Sequence, residues 1–464
     1  MRRPIGGPGA YNAGMRIHRR TFIQSAAASL VWAGAPSLLI GRAGRPVLDV
    51  DAVRLRRDLE NLSIFGRTAG GTFADGVSRV AYSEADVAGR AFVMDLMRAA
   101  GLDTRVDPAG NIIGRRKGRD PERLPILFGS HIDSVPNGGN FDGDLGSLAA
   151  IEAVRVLAAR NIVTLHPLEV VVWANEEGYA FGNGLCGSRA AAGELGPGEL
   201  DFVWQGTRKR DAIRRIGGNP DRIADARRTP GSFHCYLELH IEQGGVLHAA
   251  GIPIGVVEGI VAIDRYAVIV TGEPNHAGTT PMGVRRDALR AASMLVIAVH
   301  DVVRSEPGRH VGTVGQLTVA PNVPNVVPGT VTHTIELRDL SAGKISTLAV
   351  RIRERAESIA RDTGTTIAME RTSHHPAAMT DPRIQDAVAA AAARLGLPHQ
   401  RMPSGAGHDA QMMARLGPMG MIFVPSIDGV SHSPRESTSW DDCARGAAVL
   451  VNTLLAMDET PMRS

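Results

Sequence analysis

Cysteine is scarce: Cys186, Cys235 and Cys443 are the only three in 464 residues. They lie far apart and form no pair of metal-holding spacing. Neither a disulfide scaffold nor a thiolate zinc site is therefore expected, and the three read as small buried apolar side chains. An excess of one charge is also missing. The formal net charge of +3 comes from the first 35 residues, which carry Arg2, Arg3, Arg16, Arg19 and Arg20 and no acid. Without those five the balance is 46 basic against 48 acidic residues, which gives no electrostatic footprint for nucleic acid. No apolar run is long enough for stable membrane insertion. The longest candidate, alanine-rich and reaching about Leu39, is interrupted by Gly34 and Pro36. Internal repeats are absent, and so are low-complexity tracts beyond this leader.

What is present is an ordinary globular composition, 44% hydrophobic and 21% charged, in a chain long enough for two domains. The start is distinctive. His18-Arg19-Arg20-Thr21-Phe22-Ile23-Gln24 precedes the apolar run, and Ala33-Gly34-Ala35 offers small residues for cleavage. This resembles a twin-arginine export signal, with Met15 as an alternative start, and implies a periplasmic protein, or a cytoplasmic one if the leader is not used.

Beyond the leader, apolar runs alternate with amphipathic helical stretches, so an α/β fold is expected. Buried strands are read at Leu124–Phe128, Leu168–Ala174, Cys235–Leu239 and Met421–Val424, and helices at Ser83–Ala100 and Gly146–Arg160. Between about Val256 and Thr372 the pattern changes to strand Ile263–Thr271, helix Arg286–Val303, strands His310–Val319 and Thr330–Arg338, helix Ser341–Thr363 and strand Thr365–Arg371. That is a β-α-β-β-α-β unit of the ferredoxin-like kind. The expected organisation is leader 1–45, a main domain in two parts at 46–255 and 374–464, and an inserted lid at 256–373.

Five segments concentrate His, Asp and Glu just past apolar strands or in their loops: Gly129-Ser-His131-Ile-Asp133, Gly138-Gly-Asn-Phe-Asp142-Gly143, Asn175-Glu176-Glu177, His240-Ile-Glu242-Gln243 and Ser431-His432-Ser433. Polar residues at strand ends mark the usual site position in α/β sheets. Imidazole and carboxylate donors suit zinc, manganese or cobalt, and a carboxylate can bridge two ions. A competing motif, Gly182-Asn-Gly184-Leu-Cys-Gly187, spells a dinucleotide fingerprint. It begins eight residues after the strand that ends at Ala174, whereas the fingerprint requires its glycines at the strand-to-helix turn.

These segments, with Gly272-Glu-Pro-Asn-His276-Ala-Gly-Thr-Thr-Pro-Met282, Pro324-Asn325-Val-Val-Pro328 and Ser404-Gly-Ala-Gly-His408-Asp-Ala410, resemble the hydantoinase/carbamoylase-type amidases. That family includes N-carbamoyl-L-amino-acid hydrolases and allantoate amidohydrolases, within the co-catalytic zinc aminopeptidase-like metallohydrolases. The resemblance runs from about residue 50 to 450. It implies a zinc-aminopeptidase-like mixed-sheet catalytic domain with an inserted ferredoxin-like lid that forms a homodimer. It also implies two divalent ions per subunit (zinc, or manganese, cobalt or nickel). Carried over by position, His131, Asp142, Glu177, His240 and His432 would be ligands, with Asp142 the bridge, and Glu176 the general base. The carboxylate of Asp133 would orient His131, and the Asp142–Gly143 bond would be cis. Gln243, His276, Asn325, Arg338 and His408 would contact substrate, with His276 also polarising the scissile carbonyl across the dimer.

The implied reaction is hydrolysis of the ureido bond of an N-carbamoyl-L-amino acid or a similar small ureido or amide acid, giving amino acid, ammonia and carbon dioxide. Allantoate or another N-acyl amino acid is the alternative substrate, and a non-catalytic metal-binding protein the alternative class. The chain departs from the family at Tyr179-Ala180, where Ser-Arg is usual, and at Gly245 and His248, where proline and an acid are usual; none of these is a ligand position.

Overall fold

The computed structural model describes residues 47–462, so the arginine-rich leader lies outside the described residues. In chain order the first helices are α1 (Ala52–Leu62) and α2 (Glu84–Ala99), followed by β1 (Asp103–Val106), β2 (Ile112–Arg116) and β3 (Ile126–His131). Then come α3 (Asp144–Ala159), β4 (Leu168–Trp173), α4 (Cys186–Ala192), a small hairpin of β5 (Val203–Trp204) and β6 (Thr207–Arg208), and α5 (Lys209–Arg215). β7 (Cys235–Ile241), α6 (Val246–Ala250) and β8 (Ile254–Ile260) complete this part. A second unit holds β9 (Ala262–Thr271), β10 (Asn275–His276), α7 (Ala288–Ser305), β11 (Val311–Thr313), β12 (Leu317–Ala320), β13 (Val326–Val327), β14 (Thr330–Asp339), α8 (Ala342–Thr363) and β15 (Thr366–His375). The chain closes with β16 (Ala378–Met379), α9 (Pro382–Arg394), β17 (His399–Ser404), α10 (Ala410–Met413), β18 (Met419–Val424) and α11 (Trp440–Glu459).

The large sheet is mixed, in the order β1-β2-β4-β3-β7-β18-β8-β16, with β17 beside β8. Its centre is parallel: β3 pairs with β4 and β7, and β7 with β18. These four strands are buried at every residue, as a parallel sheet covered on both faces requires. Successive side chains serve opposite cores. Phe128 and Val170 pack into the cluster with α1, α3, α9 and α11, while Leu127 and Val171 pack into the one with α4 and α10. Each such side chain removed from water contributes about 1.5–3 kcal/mol.

The small sheet is antiparallel, in the order β11-β14-β9-β15 with β12 also on β14. Along β9, Ala262, Tyr266, Val268 and Val270 are buried and their neighbours face outward. Helices α7 and α8 complete that core with Leu295, Leu348 and Ile352. Asp287 caps α7 by accepting the Leu289 and Arg290 amides, and Ser341 caps α8 through the Lys344 amide. The element order is the expected β-α-β-β-α-β, with one correction. The strand read as His310–Val319 is two, because Val314, Gly315 and Gln316 stand opposite only Thr334 and Ile335 and the ladder breaks there. The unit's entry and exit strands are neighbours, with Ile263 paired to His375.

Candidate metal centre

Because β3, β4, β7 and β18 run parallel, their C-terminal ends share one edge of the sheet. His131 is the last residue of β3, beside Trp173 at the end of β4. His240 lies one residue from the end of β7, beside Phe423. The chain leaves β4 directly into Asn175-Glu176-Glu177, returns from β3 to set Asp142 just ahead of α3, and leaves β18 toward His432. Residues separated by up to 301 positions thus meet at one place.

Asp142 is the hub. Its Oδ1 is 3.5 Å from His131 Nε2 and 3.2 Å from His240 Nε2, and its Oδ2 is 3.4 Å from His432 Nε2. His432 Nε2 is also 3.4 Å from Glu177 Oε2. Two ligand-grade groups therefore share Asp142: the buried set His131, Asp142 and His240, and the more open set Asp142, Glu177 and His432. Two buried imidazoles are anchored from behind. His131 Nδ1 is 3.0 Å from the Asp133 carbonyl and His240 Nδ1 is 2.9 Å from the Ile241 carbonyl. With Nδ1–H donating there, each Nε2 directs a lone pair into the cluster. His240 Nε2 is buried with no hydrogen-bond partner. Glu176 belongs to neither set; its Oε2 is 3.6 Å from His131 Nε2.

Two expectations are corrected. The Asp133 carboxylate does not hold His131, from which it stands 3.8 Å away; the backbone carbonyl does that. The carboxylate instead accepts the amides of Glu176 and Glu177, at 3.1 and 3.2 Å, and so aims the adjacent glutamates. The Asp142–Gly143 bond is trans, since the one cis bond among the described residues is Ala320–Pro321. The turn is made by Gly143 at φ +69°, where an added Cβ would sit 2.4 Å from the His131 ring, so only glycine fits.

Electrostatically the cluster is rich in buried acid. Burial raises Glu176 well above the ordinary carboxylate range, reinforced by the charges of Asp409 and Glu177. Burial and the neighbouring Asp142 raise Glu177 to about 8. Against the cost of its own burial, Asp142 is held well below that range by His240, His131 and His432. The hydrogen bond to Asp142 raises His432 to about 9. Glu176 and Glu177, crowded and raised, beside a raised His432, form a cavity suited to positive charge.

The cavity is about 240 Å³, lined by Asp142, Glu176, Glu177, His240, Gln243 and His432 among others. Gln243 Nε2 lies 2.6 Å from Asp142 Oδ2. His408 is buried beneath the cluster rather than on its wall: its ring packs on that of His240 at 4.5 Å, and its Nε2 is 2.9 Å from Ser404 Oγ. His276, Asn325 and Arg338 do not line the cavity. His276 is exposed, and its Nδ1 accepts the Gly278 and Thr279 amides. The Asn325 carbonyl accepts the Ala277 amide, so these two lie together. The Arg338 guanidinium is held by Glu336 at 2.7 Å and by the Gly405 carbonyl at 2.6 Å. Sequence reasoning missed Glu436, four positions after His432, which contacts the Asp142 loop directly. No local sequence signal marked it, because its contact is with a segment almost 300 positions away.

Fold and cluster define a class: a mixed-sheet α/β protein with a candidate metal centre at the ends of its parallel strands. The chain belongs to peptidase family M20/M25/M40, whose family model matches residues 127–456. More particularly, it is 41% identical over 406 residues to an N-carbamoyl-L-amino acid amidohydrolase of Geobacillus stearothermophilus, covering 87% of this chain and 98% of that one. It is 36% identical over 392 residues to the allantoate amidohydrolase of Escherichia coli, covering 84% and 94%. Among solved structures, a hydantoinase/carbamoylase family amidase from Burkholderia ambifaria superposes with a TM-score of 0.82 at 36% identity, covering 90% and 98%.

Proposed function

We propose that this protein hydrolyses the carbamoyl C–N bond of an N-carbamoyl-L-amino acid or a similar small ureido acid, giving the amino acid, ammonia and carbon dioxide. One observation carries the reading: Glu176, a carboxylate outside both ligand sets, faces the cavity that those sets share. The similarity to carbamoyl-amino-acid and allantoate amidohydrolases supports the substrate class.

The residues fit a pair of divalent cations (zinc, or manganese, cobalt or nickel). The unpartnered His240 Nε2, the lone pairs set by backbone carbonyls and the nitrogen-plus-carboxylate donor set all suit such ions. One ion would be held by His131, Asp142 and His240, the other by Asp142, Glu177 and His432. Bound there, they would supply Lewis acidity and bring the pKa of a nearby water to about 7.

The proton work falls to Glu176. It takes a proton from the attacking water and returns it to the departing nitrogen. Burial raises its proton affinity, which suits a group that must keep a proton between the two steps. Gln243 offers its amide at the cavity edge. Arg338 carries the fork geometry that recognises a carboxylate, and to engage one it exchanges Glu336 and Gly405 for substrate. With Nδ1 accepting two backbone amides, His276 presents Nε2–H as a donor for the scissile carbonyl. Closure of the small sheet over the cavity, or its pairing with a second subunit, brings His276, Asn325 and Arg338 to the substrate. Exposed Ile297 and Leu317 on that unit support a homodimer.

The test is product release by metal-loaded protein across a substrate panel, read as ammonia from N-carbamoyl-L-amino acids and allantoate and as free amino acid from N-acyl amino acids. Turnover of N-acyl amino acids alone would replace the ureido reading, and inactivity of metal-loaded protein toward the whole panel would end the hydrolase assignment.

A further inference from the structure

Glu436 is 5% exposed, yet it reaches back across 294 positions to the loop that carries Asp142. Its Oε1 accepts two consecutive backbone amides, Phe141 and Asp142, each at 3.0 Å. Its Oε2 is 2.9 Å from Ser431 Oγ, and that hydroxyl is 3.1 Å from Asp142 Oδ2. One carboxylate therefore ties the backbone of the shared Asp142 to the turn that presents His432. The sequence has made room for it. A Cβ on Gly139 would stand 2.1 Å from Glu436 Oε1, 2.2 Å from its carboxyl carbon and 2.4 Å from its Cβ.

The two ligand sets are supported unequally. His131 and His240 lie in strands of the sheet interior and lean on carbonyls of their own strand ends. His432 lies in a loop at φ +52°, with half of its side chain exposed. Among the described residues its Nε2 meets only other members of the cluster and Gln243. The register between His432 and Asp142 must come from the backbone on either side, and Glu436 with Ser431 supplies that link.

We infer that Glu436 is a positioning residue that sets the separation of Asp142 and His432, and with it the affinity of the open set for its divalent cation. The inference rests on the two-cation reading above. Partners that orient ligands typically govern metal affinity by about 10–100-fold.

The experiment titrates zinc into metal-stripped protein against a chromophoric chelator, with far-UV circular dichroism to confirm folding. Glu436→Ala is expected to weaken the open set by about 10–100-fold and to leave the buried set close to the parent. Glu436→Gln keeps an acceptor for both amides and turns its NH₂ toward Ser431 Oγ, so it is expected to restore binding. Gly139→Ala pushes the carboxylate out by sterics alone and is expected to imitate Glu436→Ala. The double variant is expected to be no worse than either single one, because the same link is lost only once. Parent-like zinc affinity in Glu436→Ala, or losses that multiply in the double variant, would overturn the inference. If Glu436→Ala does not fold, Gly139→Ala decides alone, and parent-like binding there overturns it. A parent protein that takes up no second ion overturns the two-cation reading and this inference with it, whereas a parent that binds two ions and variants that match it overturn this inference only.

Discussion

Glu176→Gln separates proton transfer from metal binding. The side chain belongs to neither ligand set, its amide is fixed by the Asp133 carboxylate whatever the side chain carries, and glutamine has the same shape. Folding and metal content should therefore be unchanged. What is lost is a group able to accept and return a proton beside His131. General acid–base catalysis is worth about 10²–10⁴-fold, or about 3–5 kcal/mol of barrier at 1.36 kcal/mol per decade. The neighbouring Glu177→Gln should do the opposite first, stripping a donor from the open set and lowering metal occupancy. The assay measures kcat for ammonia release beside metal content by atomic emission on the same samples. If Glu176→Gln keeps a tenth or more of parent kcat (~1.4 kcal/mol), or loses metal as Glu177→Gln does, the division of labour between the two glutamates is wrong.

Three further outcomes are expected. In the metal-free protein Glu177 titrates near 8 and His432 near 9; both are raised, so both hold protons at neutral pH and a cation must expel them. Metal affinity should rise with pH up to about 9 with release of about one to two protons; calorimetry in buffers of different ionisation heat reads this, and binding without proton release would contradict it. Arg79 is buried against Asp144 and donates to the carbonyls of Leu62, Phe65 and Ile132, so Arg79→Ala should cost about 3–5 kcal/mol of stability; an unshifted urea midpoint would refute this. Arg338→Lys loses a charge-assisted fork worth about 1.5–3 kcal/mol and should raise KM for a carboxylate substrate by about 10- to 100-fold with little change in kcat; an equal rise for a substrate lacking the carboxylate would show that Arg338 binds something else.

The four central strands of the large sheet were legible because each is a short, mostly apolar run, and the polar residues at their ends located the cluster; β8, β16 and β17 were not read. Strand ends were less legible. β3 and β7 run on through His131 and His240, since a strand continues while its backbone is paired even after its side chains turn polar. Asp133 was found but its contact was misjudged, because two amides brought up from β4 outcompete a nearby imidazole and only the folded register shows them there. Glu436 and Gly139 were invisible in one dimension. Their meaning is a contact between segments almost 300 residues apart, and no local period records it. His408 was placed near the substrate by the family resemblance, yet it is buried with its ring against that of His240.

The pairing of Ile263 with His375 has a consequence for how such a molecule can be remodelled. The chain enters and leaves the intervening stretch side by side, on two hydrogen-bonded strands about 5 Å apart. Cutting both strands there and sealing the gap with a tight turn would leave every cation donor in place and discard His276, Asn325 and Arg338 together. On the proposed reading, the candidate cation donors and the carboxylate-recognising Arg338 would then lie on separable pieces of chain.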